Sequence, residues 1–298
     1  MTSTQDYTKD YTQDNDKLYR YLFQNRAVRG QWLRLNNTFT ETLNTHHYPK
    51  PVQDLLGEML VATSLLTATL KFEGTITVQI QGGEGALKLA VVNGNEKQQM
   101  RALARVDGEI SDNTRLQQMV GEKGVLIISV MPENGERYQG VVALDKETIS
   151  ECLEEYFTRS EQLKTQLIIR VGEFNGEAVG AGVLLQVMPD GTGTPEDFEH
   201  LAALTSTIKN EEIFGLTAQE LLFRLYHEET VEVYEPQPVS FKCGCSRERS
   251  AGALLLVSDE EITEMLAAKQ GIIDMQCECC GTQYFFDEKA IQELKAVS

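Results

Sequence analysis

The sequence predicts an α+β protein: a strand-rich N-terminal domain with packing helices, a helical linker, and a small C-terminal domain built around cysteines. Three observations carry this. At 75–81, Ile76, Val78 and Ile80 alternate with Thr77, Gln79 and Gln81, which is the period of a half-buried strand. At 51–72 and 146–162 apolar residues recur at helical spacing instead. Five of the six cysteines fall within residues 243–298, a segment of 56 residues.

The elements follow in order. Residues 1–16 are rich in Asp, Thr, Gln and Tyr and read as a disordered polar tail with nothing to pack. They have neither the basic start nor the apolar run of a signal peptide. The first strand begins within 17–30. A long helix spans 51 to about 72, with Pro51 at a first helical position. Val52, Leu55, Leu56, Met59, Leu60 and Leu66 form one broad face, and Gly74 ends the helix. The apolar stretch 55–70 is interrupted by Gly57, Glu58 and several Thr and Ser, so it is too polar to span a bilayer. Strand candidates follow at 86–92, 124–130, 138–144, 166–171 and 182–188, with Gly or Asn turns between them. The helix at 146–162 interrupts them. Its stripe is Ile149, Cys152, Leu153, Tyr156 and Phe157, so Cys152 reads as buried packing. Residues 17–189 thus form one α+β domain.

Composition shifts after Met188-Pro189. The loop 190–197 is rich in Gly and Pro, and helical patterns follow at 196–208 and 217–229. The second opens with a capping box, Thr217 to Glu220. Residues 190–242 hold 3 basic and 11 acidic residues, a net charge of −8 within a chain total of −18. Such self-repulsion predicts a metastable helical linker. Whole-chain acidity also makes a poor general binder of nucleic acid or anionic membrane. A cytoplasmic location is expected, with the cysteines reduced.

The chemistry sits at the end. Cys243-Gly244-Cys245 is a C-x-C, Cys277-Glu278-Cys279-Cys280 contains a C-x-x-C, and 31 residues separate Cys245 from Cys277. Two close pairs joined by such a loop can converge on one tetrahedral ion, and soft thiolates select zinc (Zn2+). Cys279 could replace Cys280 as a ligand, but C-x-x-C followed by Gly281 better fits a knuckle turn. The flanks 275–286 read as strand, turn, strand. Between the pairs, a capping box from Ser258 to Glu261 opens a helix that Gly271 closes. Four sulfurs leave no open coordination position, which argues against hydrolytic chemistry.

A 56-residue segment has a folding balance near zero from burial alone, whereas zinc contributes roughly 10–16 kcal/mol to such modules. Oxidised sulfurs no longer bind zinc as thiolates do, so oxidation should unfold the segment. Oxidation could close two local disulfides, and one across C-x-C would be strained and readily reduced. Lys242, Arg247 and Arg249 lie beside the first pair and can offset thiolate charge.

These residues resemble a known family. FKCGCSRERS (241–250) and CECCGTQYFF (277–286) are similar to the zinc-switch signature of the redox-regulated heat-shock chaperones often called the 33 kDa chaperonin. RYLFQNRAVRG, HHYPKPV, LVATSLLTATLKFEG, ERYQGVV, YFTRSEQL, LLQVMP and LYHEE resemble its other recurring stretches, so the likeness covers nearly the whole chain. The resemblance implies an ATP-independent holdase, not an enzyme. It implies zinc held by Cys243, Cys245, Cys277 and Cys280 in the reduced resting form. It further implies oxidation to the disulfides Cys243–Cys245 and Cys277–Cys280, zinc release, an unfolded linker and binding of unfolding client proteins, often as a homodimer. Cys279 departs from the pattern and leaves the second pairing open.

Two other classes fit the sequence less well. A thiol-disulfide oxidoreductase would place C-x-x-C at the start of a helix after a strand, not between two strands. A zinc-ribbon nucleic-acid module fits poorly with net −5 over 243–298 and with Asp274, Glu278, Asp287 and Glu288 around the knuckle. GGEGALK lacks dinucleotide-loop spacing, and no G-x-x-x-x-G-K-S/T, G-x-S-x-G or H-E-x-x-H occurs. His46 and His47 read as turn residues before Tyr48-Pro49, and His200 and His227 as solvated positions on acidic helices. Client-binding candidates are Leu201, Leu204, Leu221, Leu222, Phe223 and Leu225, with the strand-rich face they cover.

Overall fold

A computed structural model of the chain describes residues 11–69, 73–188 and 194–297. It divides into two compact units, Met1–Phe241 and Lys242–Ser298. The first opens with a short turn of helix at Tyr11–Asp14, then β1 (Lys17–Phe23), β2 (Val28–Leu35), α1 (Asn37–Leu43) and α2 (Lys50–Thr69). Next come β3 (Gly74–Gln81), β4 (Leu87–Asn95), β5 (Gln99–Val106), α3 (Leu116–Val120), β6 (Val125–Pro132), β7 (Tyr138–Ala143) and α4 (Ile149–Tyr156). After β8 (Thr165–Phe174) and β9 (Glu177–Val187) come α5 (Pro195–Thr205), α6 (Asn210–Gly215), α7 (Ala218–Tyr226), β10 (Val231–Val233), β11 (Gln237–Pro238) and β12 (Ser240–Phe241).

Two six-stranded sheets result. One runs β10-β1-β2-β9-β8, with β11 beside the start of β1; the other runs β12-β5-β4-β3-β6-β7. Every pairing is antiparallel except β12 with β5. Residues from both sheets share one core with α2: Leu33, Leu35 and Leu184 from the first, Ile76, Val78 and Val92 from the second. The helix expected to bury one broad face therefore buries fourteen of its twenty residues, Thr63, Ser64 and Thr67 included. Two of these hydroxyls are satisfied, Ser64 bonding Gln98 at 2.7 Å and Thr67 donating to the Thr63 carbonyl at 2.7 Å, whereas Thr63 Oγ1 is buried without a hydrogen-bond partner among the described residues. The end expected near Phe72 lies outside the described residues. Gly74 starts β3 rather than capping the helix; its φ is 150°, and a Cβ there would meet the Met131 carbonyl at 2.3 Å. The expected helix at 146–162 is shorter: α4 ends at Tyr156 and passes into a wider turn, Phe157–Glu161.

The strands missed in the sequence had weak signals. In β5 the inward positions Met100, Ala102 and Ala104 include two alanines, and β10, β11 and β12 are two or three residues long. The tail expected at 1–16 is corrected for its described part. Asp14 is buried, accepting from the Tyr19 hydroxyl at 2.6 Å and the Ala218 amide at 2.8 Å. Asp16 caps the chain before α1, accepting from the amides of Asn36, Asn37 and Thr38. These carboxylates pack by satisfying orphaned amides, which hydropathy does not register. Residues 1–10 lie outside the described residues.

Helices α5, α6 and α7 lie on the other face of the first sheet. There Phe198, Leu201, Ile213, Phe214, Leu221 and Leu225 join Tyr21, Phe23, Trp32, Val183 and Leu185 in a second core. Both expected client-binding partners, helix and strand face, are thus buried against each other, except Phe223, which is 72% exposed. The capping box from Thr217 to Glu220 is present at the start of α7. Among the described residues, no helix is long and apolar enough to cross a membrane.

The second unit holds α8 (Arg247–Leu254), α9 (Asp259–Ala268), the hairpin of β13 (Ile272–Gln276) and β14 (Gln283–Asp287), and α10 (Glu288–Val297). Its core is small: Ala251, Leu254, Ile262, Ile273, Phe286 and Ile291.

Candidate metal centre

Two short segments of the second unit bring the cysteines together. Cys243 and Cys245 lie on the extended run before α8, whose cap Ser246 accepts from the Arg249 amide. Cys277 and Cys280 lie in the turn joining β13 to β14. That turn is closed by the Cys277 amide donating to Thr282 (2.9 Å) and the Gly281 amide donating to Cys277 (2.9 Å). Gly281 has a φ of 70°, the left-handed conformation that the knuckle requires.

The Sγ atoms of Cys243, Cys245, Cys277 and Cys280 lie within 4.8 Å of one another. Cys243 stands 3.6 Å from Cys277, and Cys245 stands 3.4 Å from Cys280. A tetrahedron of sulfurs ~2.3 Å from zinc has an edge of about 3.8 Å, so the spacing suits a shared cation. It is far too long for a disulfide, about 2 Å.

The surroundings favour negative sulfur at one corner. Burial raises the Cys280 thiol, but the hydroxyl and amide of Thr282, then the thiols of Cys245 and Cys243, outweigh it and bring it down to about 6. Cys243 is pushed up to about 12, first by burial, with hydrogen bonds to the neighbouring thiols adding to the rise. The Tyr284 hydroxyl donates to Cys245 Sγ at 3.1 Å, and Thr282 Oγ1 lies 3.2 Å from Cys280 Sγ. Neither residue was singled out from sequence; their alternate positions in QYFF and after the knuckle glycine were the available signal.

The flanking cations are deployed differently from expectation. Arg249 holds the Gly244 carbonyl at 2.5 Å, bracing the C-x-C backbone. Arg247 turns to the Phe285 carbonyl at 2.5 Å and stacks 4.4 Å from the Phe286 ring centre. Cys279 is buried and stands outside the four-sulfur group. Cys152 is buried in the core of the first unit, where burial raises its thiol. His200 bonds Glu229 at 3.1 Å and is half exposed.

A family model described as Hsp33 protein matches residues 16–287. The 33 kDa chaperonin of Actinobacillus pleuropneumoniae serotype 5b is 74% identical over 285 residues, 96% of each chain. That of Haemophilus influenzae strain PittGG is 70% identical over 288 residues, 97% of this chain and 98% of its own. The crystal structure of the 33 kDa chaperonin, a heat shock protein 33 homolog, from Thermotoga maritima superposes with a TM-score of 0.79. It is 23% identical and covers 95% of this chain and 98% of its own, which shows a common fold.

Proposed function

The chain belongs to the Hsp33 protein family, a non-enzymatic chaperone family, and from that premise we propose that it is a redox-switched, ATP-independent holdase. The observation that carries the proposal is the gathering of Cys243, Cys245, Cys277 and Cys280 in a unit with so small an apolar core. Zinc, when bound, supplies a cross-link between the two arms that this core is too small to replace.

Reduced, the four thiolates tie the run before α8 to the β13–β14 turn. Oxidation takes two electrons from each thiolate pair and forms one S–S bond, while one molecule of hydrogen peroxide takes up those electrons and two protons from solvent to give two waters. We assign the bonds as Cys243–Cys245 and Cys277–Cys280. The shortest sulfur contacts cross between the arms, so proximity does not select these pairs. Their consequence does: cross-arm disulfides would keep the arms stapled, whereas bonds within each pair leave no link between them. Opening frees the chain end of the acidic linker at 190–242. Its lifting uncovers Tyr21, Phe23, Trp32 and Val183 for unfolded clients. The oxidised form works as a homodimer in the cytoplasm, without nucleic-acid or membrane partners.

The test is light scattering from a protein unfolding at mild heat, without ATP. Peroxide-treated protein should suppress aggregation, and reduced, zinc-loaded protein should not. Zinc, read with a chelating dye, should appear in step with loss of four thiols. Zinc retained after those thiols are gone would overturn the proposal.

A further inference from the structure

The linker is seated by more than apolar contact, and we infer that Asp14 and Arg34 are positioning residues that clasp its α6–α7 corner and set the threshold for its release. The inference rests on the holdase reading above and names the regulation of that switch.

Arg34 stands on β2 and is 1% exposed. One guanidinium nitrogen donates to the carbonyls of Phe214 (2.8 Å) and Leu216 (2.9 Å), and Nε donates to Asn15 Oδ1 (2.8 Å). The cation also lies 5.4 Å from the Trp32 ring centre. Phe214 and Leu216 close α6, where carbonyls lack intrahelical partners and a positive charge is favoured. Two residues on, Asp14 grips the start of α7. One of its carboxylate oxygens accepts from the Ala218 amide and the other from the Tyr19 hydroxyl. The local capping box serves the amides of Thr217 and Glu220 and leaves the Ala218 amide to Asp14. A buried cation and a buried anion thus hold the two helix ends that meet at residues 215–217, each sign matched to its pole.

Such a clasp differs from an apolar seat. When the corner lifts, Arg34, Asp14 and the helix-end groups all gain water, so the clasp resists full opening only modestly. A linker displaced in register would instead leave Arg34 buried without its acceptors, which is the costly state. The clasp therefore makes release all-or-none and places its threshold at two side chains of the N-terminal strand region.

The test is hydrogen exchange on full-length, reduced, zinc-loaded protein. Arg34→Ala and Asp14→Ala should each speed exchange at 210–226 by roughly 10- to 100-fold, with β3 and β6 unchanged and zinc retained. Arg34→Lys, which cannot reach three acceptors as a fork does, should fall between. The double variant should add little to either single one. Unchanged exchange at 210–226 in the alanine variants would overturn the inference, as would acceleration spread evenly through the first unit. Should Arg34→Ala fail to fold, Arg34→Lys and Asp14→Asn carry the same localisation test. Faster local exchange in the reduced variants, together with no suppression of aggregation by the peroxide-treated protein, would leave the clasp standing and overturn the holdase reading.

Discussion

Cys279 and Cys280 are chain neighbours with opposite surroundings. Cys280 faces three other sulfurs and receives Thr282, whereas Cys279 is buried outside the group. Cys280→Ser should therefore lose stoichiometric metal while Cys279→Ser keeps it, as elemental analysis would read; equal losses would show that the two thiols are interchangeable. The hydrogen bond from Tyr284 to Cys245 makes a subtler case. A donor to a ligating sulfur orients it and spreads its charge, and loss of such partners costs roughly 10–100-fold in metal affinity. Tyr284→Phe should weaken zinc by at least the lower figure in competition with a chelator, and an unchanged affinity would remove Tyr284 from the site. The four sulfurs were legible in the sequence because thiol spacing along the chain is itself the signal. Tyr284 and Thr282 were not, since their roles depend on where the hairpin turn aims them.

Among the elements, α2 shows how burial changes the chemistry of a side chain that the sequence left unremarked. Glu58 lies half-buried on it; burial first, and then Asp54, raise its carboxyl to about 7, against the opposing pull of Arg170. The fold therefore favours the protonated form. That contribution is complete below the unfolded carboxyl's ordinary range and is lost as pH rises from there through about 7. Glu58→Gln should leave thermal stability nearly unchanged at pH 5 and raise it by about 2 kcal/mol at pH 8. A shift independent of pH would sink the argument. Period-two and helical spacing revealed β3, β4, β6, β7, β8 and β9 and the helices α2, α5 and α7, because those segments bury large side chains on defined faces. The packed turn at Asp14 and Asp16 stayed hidden for the opposite reason: its side chains are polar, and their partners lie up to 204 residues away.

For the molecule as a whole, the proposed release asks a linker that covers much apolar surface to let go. Its seat carries built-in costs. The segment 190–242 brings a net charge of −8. Arg26 offsets part of it by bridging Asp197 and, through two nitrogens, Glu229, and the exposed Lys164 pairs with Glu199 at 2.7 Å, but two cations from outside the segment cannot neutralise its charge. Closure also buries the Trp32 indole, whose Nε1 finds no hydrogen-bond partner among the described residues. Trp32 is the only tryptophan in the chain and is 0% exposed between the sheet and the linker helices. It is thus a built-in reporter of the seat. Peroxide with mild heat should shift its emission to the red as water reaches the ring, in step with the onset of aggregation suppression. Reduction with zinc present should return it to the blue. The zinc-loaded reduced protein should show no shift at the same temperature, since the tether alone changes between the two conditions. Emission that stays blue in oxidised, chaperone-active protein would mean that clients bind elsewhere and that the linker never leaves this face of the sheet.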